Sequence, residues 1–97
     1  MIGVVAVIRA KAGREAEFER AFLAMAAQVR ANEPGARVYQ LTRSRTEPRT
    51  YKVLEVYADE AALEAHRASD HFREGGRSLR DLVDGPPEIE LLDGVEG

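Results

Sequence analysis

The sequence predicts an α+β domain: one antiparallel sheet of four strands with helices on one of its faces. Three observations predict it. Strand-length apolar segments and helix-length amphipathic segments follow one another as β-α-β-β-α-β, the split-βαβ or ferredoxin-like order. A short proline-bearing link joins the two middle strands, as an antiparallel hairpin requires. The chain has 97 residues, of which 44% are hydrophobic and 32% charged, so it is read as a single globular domain, residues 1–97.

Ile2–Arg9 reads as the first strand. Ile2, Val4, Val5, Ala6, Val7 and Ile8 leave almost no polar position, which is the pattern of a strand covered on both faces. Lys11-Ala12-Gly13 breaks it. From Arg14 to about Asn32 the period becomes helical. Phe18, Phe22, Met25 and Val29 form one apolar stripe, and acids near the start with Arg30 near the end suit the helix dipole. Asn32-Glu33-Pro34-Gly35 ends the helix, because proline cannot continue the hydrogen-bond ladder.

Ala36–Arg45 and Thr50–Ala58 read as strands joined by Thr46-Glu47-Pro48-Arg49. In the second of them Tyr51, Val53, Glu55 and Tyr57 share one face, and Lys52, Leu54, Val56 and Ala58 the other. Asp59 is the expected N-cap of a helix over Glu60–Arg67. Ser69-Asp70 opens a further helix running through Phe72, Leu79, Leu82 and Val83, with a break at Gly75-Gly76. Asp84-Gly85-Pro86-Pro87 stops it. Glu88–Leu92 is the last strand, and 93–97 reads as a loose tail.

One layer of helices covers one side of a sheet, yet the first and third strands are apolar on both. A lone subunit would leave an apolar patch in water. A two-fold homodimer with bare sheet faces packed together resolves the conflict. The alternative is a first strand that is simply central.

Composition narrows the function. There is no cysteine, which excludes disulfides, thiolate metal sites and a cysteine nucleophile. The net charge of −3 and a first strand without aromatics argue against nucleic acid. No apolar run nears the length of a membrane span, and no basic segment precedes the first apolar run, so a cytoplasmic location is expected, with no membrane partner. Phosphate-binding glycine loops and the GxSxG nucleophile motif are missing. Arg37, Arg43, Arg45 and Arg49 read as a charged, solvated edge. His66 and His71 stand five apart, on different faces of one helix, so no metal site is expected.

One constellation carries chemistry. Glu55 lies mid-strand between Leu54 and Val56, and a carboxylate there needs a partner. His66 shares a helix face with Leu63 and is expected to point between sheet and helices. A histidine beside a carboxylate suits proton abstraction; a structural Glu–His or Glu–Arg pair closing the core is the other reading.

The run Glu33-Pro34-Gly35, Tyr51-Lys52-Val53-Leu54-Glu55-Val56-Tyr57, Asp59-Glu60-Ala61-Ala62-Leu63-Glu64-Ala65-His66 and Ser69-Asp70-His71-Phe72 resembles the antibiotic biosynthesis monooxygenase (ABM) family, which includes small quinol monooxygenases. The resemblance spans about Ile2 to Leu92. It implies a dimeric α+β barrel with a pocket between sheet and helices in each subunit. It also implies oxidation of a small electron-rich phenol or quinol by O2 without metal, flavin or haem. Carried over residue by residue, it makes His66 the base, Glu55 an orienting carboxylate, and Tyr57 a pocket residue where many members have tryptophan. Tyr39 and Phe72 become walls of the substrate pocket. The alternative is a non-catalytic dimeric module that binds a small molecule or haem, with His66 or His71 as axial ligand.

Overall fold

A computed structural model describes residues 1–95 of the chain. Its elements are β1 (Ile2–Arg9), α1 (Glu15–Asn32), β2 (Ala36–Arg43), β3 (Thr50–Tyr57), α2 (Glu60–Ala68), α3 (Asp70–Arg80) and β4 (Glu88–Asp93). The four strands form one sheet in the order β2-β3-β1-β4, with every pairing antiparallel. This is the predicted ferredoxin-like arrangement. No helix among the described residues is long and apolar enough to cross a membrane.

Strand parity sorts the side chains. Ile2, Val4 and Ala6 of β1 and Tyr51, Val53, Glu55 and Tyr57 of β3 are buried beneath the helices. The stripe Phe18, Phe22, Met25 and Val29 of α1, joined by Ala26, is buried against them. Aromatic rings knit the two layers. Phe18 lies 4.7 Å from Tyr51, and Phe22 stacks on Tyr39 at 5.8 Å, centroid to centroid. Such pairs add to the area term of burial.

Four sequence expectations need correction. The first hairpin strand stops at Arg43 rather than Arg45 because Ser44 turns the chain. Its hydroxyl accepts from the amides of Thr46 (3.2 Å) and Glu47 (3.0 Å). Gly75-Gly76 does not break α3, which runs unbroken from Asp70 to Arg80. A Cβ on Gly75 would sit 2.2 Å from Met25 Sδ, so this glycine serves the close approach of α3 to α1. Leu82 and Val83 lie beyond α3, where Val83 bridges to Ala10 and the Leu82 carbonyl accepts from Lys11. The tail begins later than expected. Asp93 pairs with Ile2, and the Gly94 amide donates to the Met1 carbonyl at 2.9 Å; Glu96 and Gly97 lie outside the described residues.

β1 is indeed central, and its outer face is bare all the same. Leu92, Gly3, Val56 and Val38 form one row across that face. Val38, Leu54 and Leu92 are each more than 40% exposed. The rest of the face mixes Val5, Val7 and Leu54 with Gln40, Thr42, Lys52, Glu88 and Glu90, so polar groups border and interrupt the apolar patch.

Candidate active site

Between the helices and the inner face of the sheet lies a cavity of about 720 Å³. Its wall is mostly apolar. Phe18, Phe22 and Met25 come from α1, Val4 and Ala6 from β1, Val53 from β3, and Leu63 from α2. Its polar groups are few: Tyr39, Glu55, His66, and Arg67 and Arg80. An apolar cleft with a few convergent polar groups is what a small-molecule site looks like.

Each polar group is placed by its element. Tyr39 and Glu55 are cross-strand partners on β2 and β3, so both point inward at one level of the sheet. His66 stands on α2 on the same face as Leu63, and both are buried. Its ring lies among Tyr39 (5.2 Å), Tyr57 (5.3 Å) and Phe72 (4.6 Å), measured between ring centres. His66, Glu55, Tyr39 and Phe72 therefore line one cavity. Tyr57 does not. It shares Glu55's face as its parity predicts, but it is fully buried with Ile2, Val4 and Leu63. Its hydroxyl donates to Glu55 Oε1 at 2.6 Å, so it anchors the carboxyl from behind instead of lining the pocket.

The expected Glu55–His66 pair is not formed. Glu55's partner is Tyr57, and His66's partner is Glu33. His66 Nδ1 lies 3.0 and 3.1 Å from the two oxygens of Glu33, and His71 Nε2 hydrogen-bonds Glu33 Oε2. The sequence reading placed both histidines on different faces of one helix, about 140° apart at 3.6 residues per turn. The chain instead turns a corner at Ser69, which is both the C-cap of α2 and the N-cap of α3. Its hydroxyl donates to the His66 carbonyl (2.8 Å) and accepts from the Phe72 amide (3.2 Å). That corner brings the two rings onto one carboxylate.

Glu33 is the site residue that the sequence does not single out. The sequence marks it as the end of α1 and, with Pro34-Gly35, as part of the family resemblance, with no chemical role. Its backbone leaves the helical conformation at the C-cap (φ −124°, ψ 85°), and the side chain crosses to α2 and α3. One signal was available: a carboxylate at a helix C-terminus opposes the dipole and needs compensation from elsewhere. Glu33, His66 and His71 also carry donor types that a divalent cation accepts, one atom from each lying within 4.8 Å of the others. Here those donors are engaged with one another.

Burial sets the protonation states. It pushes His66 below its ordinary value, and although Glu33 pulls the other way, burial prevails. The imidazole is thus neutral near pH 7 and able to accept a proton. Glu55 moves the opposite way: burial raises its carboxyl above the usual range, with the Tyr57 hydrogen bond opposing. Burial also raises the phenols of Tyr39 and Tyr57, so both remain protonated donors.

Comparison with known proteins agrees with this architecture. The sequence profile of the antibiotic biosynthesis monooxygenase family matches residues 1–77. A provisionally assigned antibiotic biosynthesis monooxygenase from Caulobacter crescentus CB15 is 52% identical, with a TM-score of 0.95 over 98% of this chain and 90% of that one. A conserved protein from Methanosarcina mazei Go1 is 28% identical, with a TM-score of 0.87 over 94% of this chain and 89% of that one. A provisionally assigned family member from Deinococcus radiodurans shares the fold at 19% identity and a TM-score of 0.90, over 100% of this chain and 95% of that one. No curated protein matches. With the profile covering most of its length and a 52% identical relative sharing its fold, the chain belongs to the antibiotic biosynthesis monooxygenase family.

Proposed function

We propose that this protein is a cofactor-independent monooxygenase acting on a small electron-rich phenol or quinol, with His66 as the base. The observation that carries this reading is the buried, neutral imidazole on the wall of an apolar cavity. A phenol ring fits among Phe22, Tyr39 and Phe72. His66 takes the phenolic proton, and the substrate anion passes one electron to O2. The two radicals join through a new C–O bond as a peroxide. Cleavage of its O–O bond, with loss of the hydrogen on the same carbon, releases water and leaves a quinone. Phenol and O2 thus become quinone and water, with the proton held by His66 returned to the departing oxygen. Tyr39 supplies a hydrogen-bond donor toward oxygen atoms that gain charge, and Glu55, whose carboxyl burial raises above the usual range, supplies a second whenever it holds its proton.

Oxygen uptake with a panel of quinols and phenols tests the reading. Turnover is expected, and His66→Ala is expected to lower it about 100-fold or more. An unchanged rate removes His66 from the role. Ligand-dependent thermal stabilisation without oxygen consumption, or a histidine-ligated Soret band on adding haemin, favours the non-catalytic alternative.

We further infer that the subunit forms a homodimer through the outer face of its sheet. The exposed Leu92, Val38 and Leu54, with the half-buried Val56 between them, support this.

A further inference from the structure

We propose that Glu33 and His71 are positioning residues: Glu33 holds His66 in the tautomer that leaves its Nε2 lone pair free, and His71 holds Glu33. This rests on the reading of His66 as the base.

The argument is one of donors and acceptors. A glutamate carboxylate only accepts hydrogen bonds, whereas a neutral imidazole donates at one nitrogen and accepts at the other. His66 Nδ1 faces both Glu33 oxygens, at 3.0 and 3.1 Å, so Nδ1 must carry the hydrogen. Nε2 is then the acceptor. Among the described residues Nε2 has no hydrogen-bond partner, and it is not sealed either, since Glu15 Oε1 is the only buried side-chain polar atom left without one. His66 lines the cavity, so its free lone pair is open to what the cavity holds.

A single carboxylate could swing away from one ring. His71 prevents this. Its Nε2 bonds Glu33 Oε2 from the first turns of α3, while His66 approaches from α2. The glutamate is clamped between two helices that diverge at Ser69. Side-chain exposure falls along the chain of contacts, from 17% at His71 to 9% at Glu33 and 4% at His66. A hydrogen bond so shielded from water keeps its strength and direction. A base whose lone pair is aimed in advance spends nothing on reorientation at the moment of reaction.

The test reads tautomers directly, without substrate. Long-range ¹H–¹⁵N spectra of histidine-labelled protein at pH 7.5 are expected to show His66 protonated at Nδ1 and His71 at Nε2. Glu33→Ala is expected to return His66 to a mixture of tautomers. His71→Leu is expected to broaden or shift His66 toward that mixture, and His71→Gln, which keeps an N–H donor, to restore the native pattern. With a turnover substrate in hand, His71→Leu is expected to lower kcat roughly 10- to 100-fold at little change in KM, again with rescue by glutamine. His66 protonated at Nε2 in the wild type overturns the proposal, and that measurement stands even where a variant fails to fold. Stoichiometric Zn²⁺ binding at micromolar concentration that abolishes both N–H signals also overturns it, since the trio would then be a metal centre. The expected tautomers in a protein that consumes no oxygen with any quinol or phenol uphold the positioning and sink the monooxygenase reading alone.

Discussion

At Glu55 the fold carries an electrostatic cost. Burial disfavours the charged carboxylate, and the Tyr57 hydrogen bond only partly offsets this. A carboxyl raised in the folded state costs nothing below its unperturbed value of 4.5. The cost grows as pH climbs through the folded value. Glu55→Gln is therefore expected to raise the melting temperature at pH 7–8 by a few degrees, on the order of 1 kcal/mol. The gain should vanish near pH 4, and a series of melting curves against pH reads both. A gain independent of pH would show that charge is not the cause. If Glu55 donates during turnover, the same variant loses activity while gaining stability, the usual relation between strained sites and function.

Helix α3 shows how one dipeptide holds two opposite roles. Gly75 faces α1, where a Cβ would fall 2.2 Å from Met25 Sδ and 3.2 Å from Met25 Cβ; Gly76 meets nothing within 4 Å. Alanine improves helix propensity at both by up to about 1 kcal/mol. At position 75 overpacking, about 1–3 kcal/mol, outweighs that gain. Gly75→Ala is thus expected to lower stability in urea unfolding and Gly76→Ala to raise it. Equal signs would mean that α3 does not sit this tightly on α1. The α2–α3 corner is a second element-scale device. Ser69→Ala removes a hydroxyl that bonds both helices, with an expected loss of about 1 kcal/mol, read in the same unfolding experiment.

Across the whole molecule the two faces of the sheet are unequal. Helices α1, α2 and α3 cover the inner face except along β4, where Ile89 and Leu91 stay exposed, and the outer face has no helix to cover it. Leu54, Val38 and Leu92 stand in the open, while the acids Glu88 and Glu90 and the base Lys52 share the same face. A two-fold pairing across this face buries the apolar row and keeps the charges at its rim. Sedimentation at micromolar concentration is expected to give a dimer, and Leu54→Arg a monomer. A wild-type monomer at that concentration overturns the pairing.

Periodicity with turn and cap residues determined the order of the elements and most of the inward set, because burial imposes a period of 2 on a strand and 3.6 on a helix; the extent of α3 and the end of β2 were not legible that way. Ile2–Arg9 was located to the residue, and Asp59 was identified as the cap that its bond to the Ala62 amide makes it. His66 is legible from the helix face it shares with Leu63, whereas Tyr39 and Phe72 enter the pocket wall through the family resemblance; all three line the cavity. Pairing was another matter. Glu55 and His66 look like partners on paper, yet each is bound to a different residue, since hydrogen bonds depend on ångström distances that a linear pattern does not encode. His71 and Glu33, 38 residues apart, meet only because Ser69 bends the chain and Gly75 lets α3 close on α1. Those are long-range packing events, and tertiary structure alone decided them.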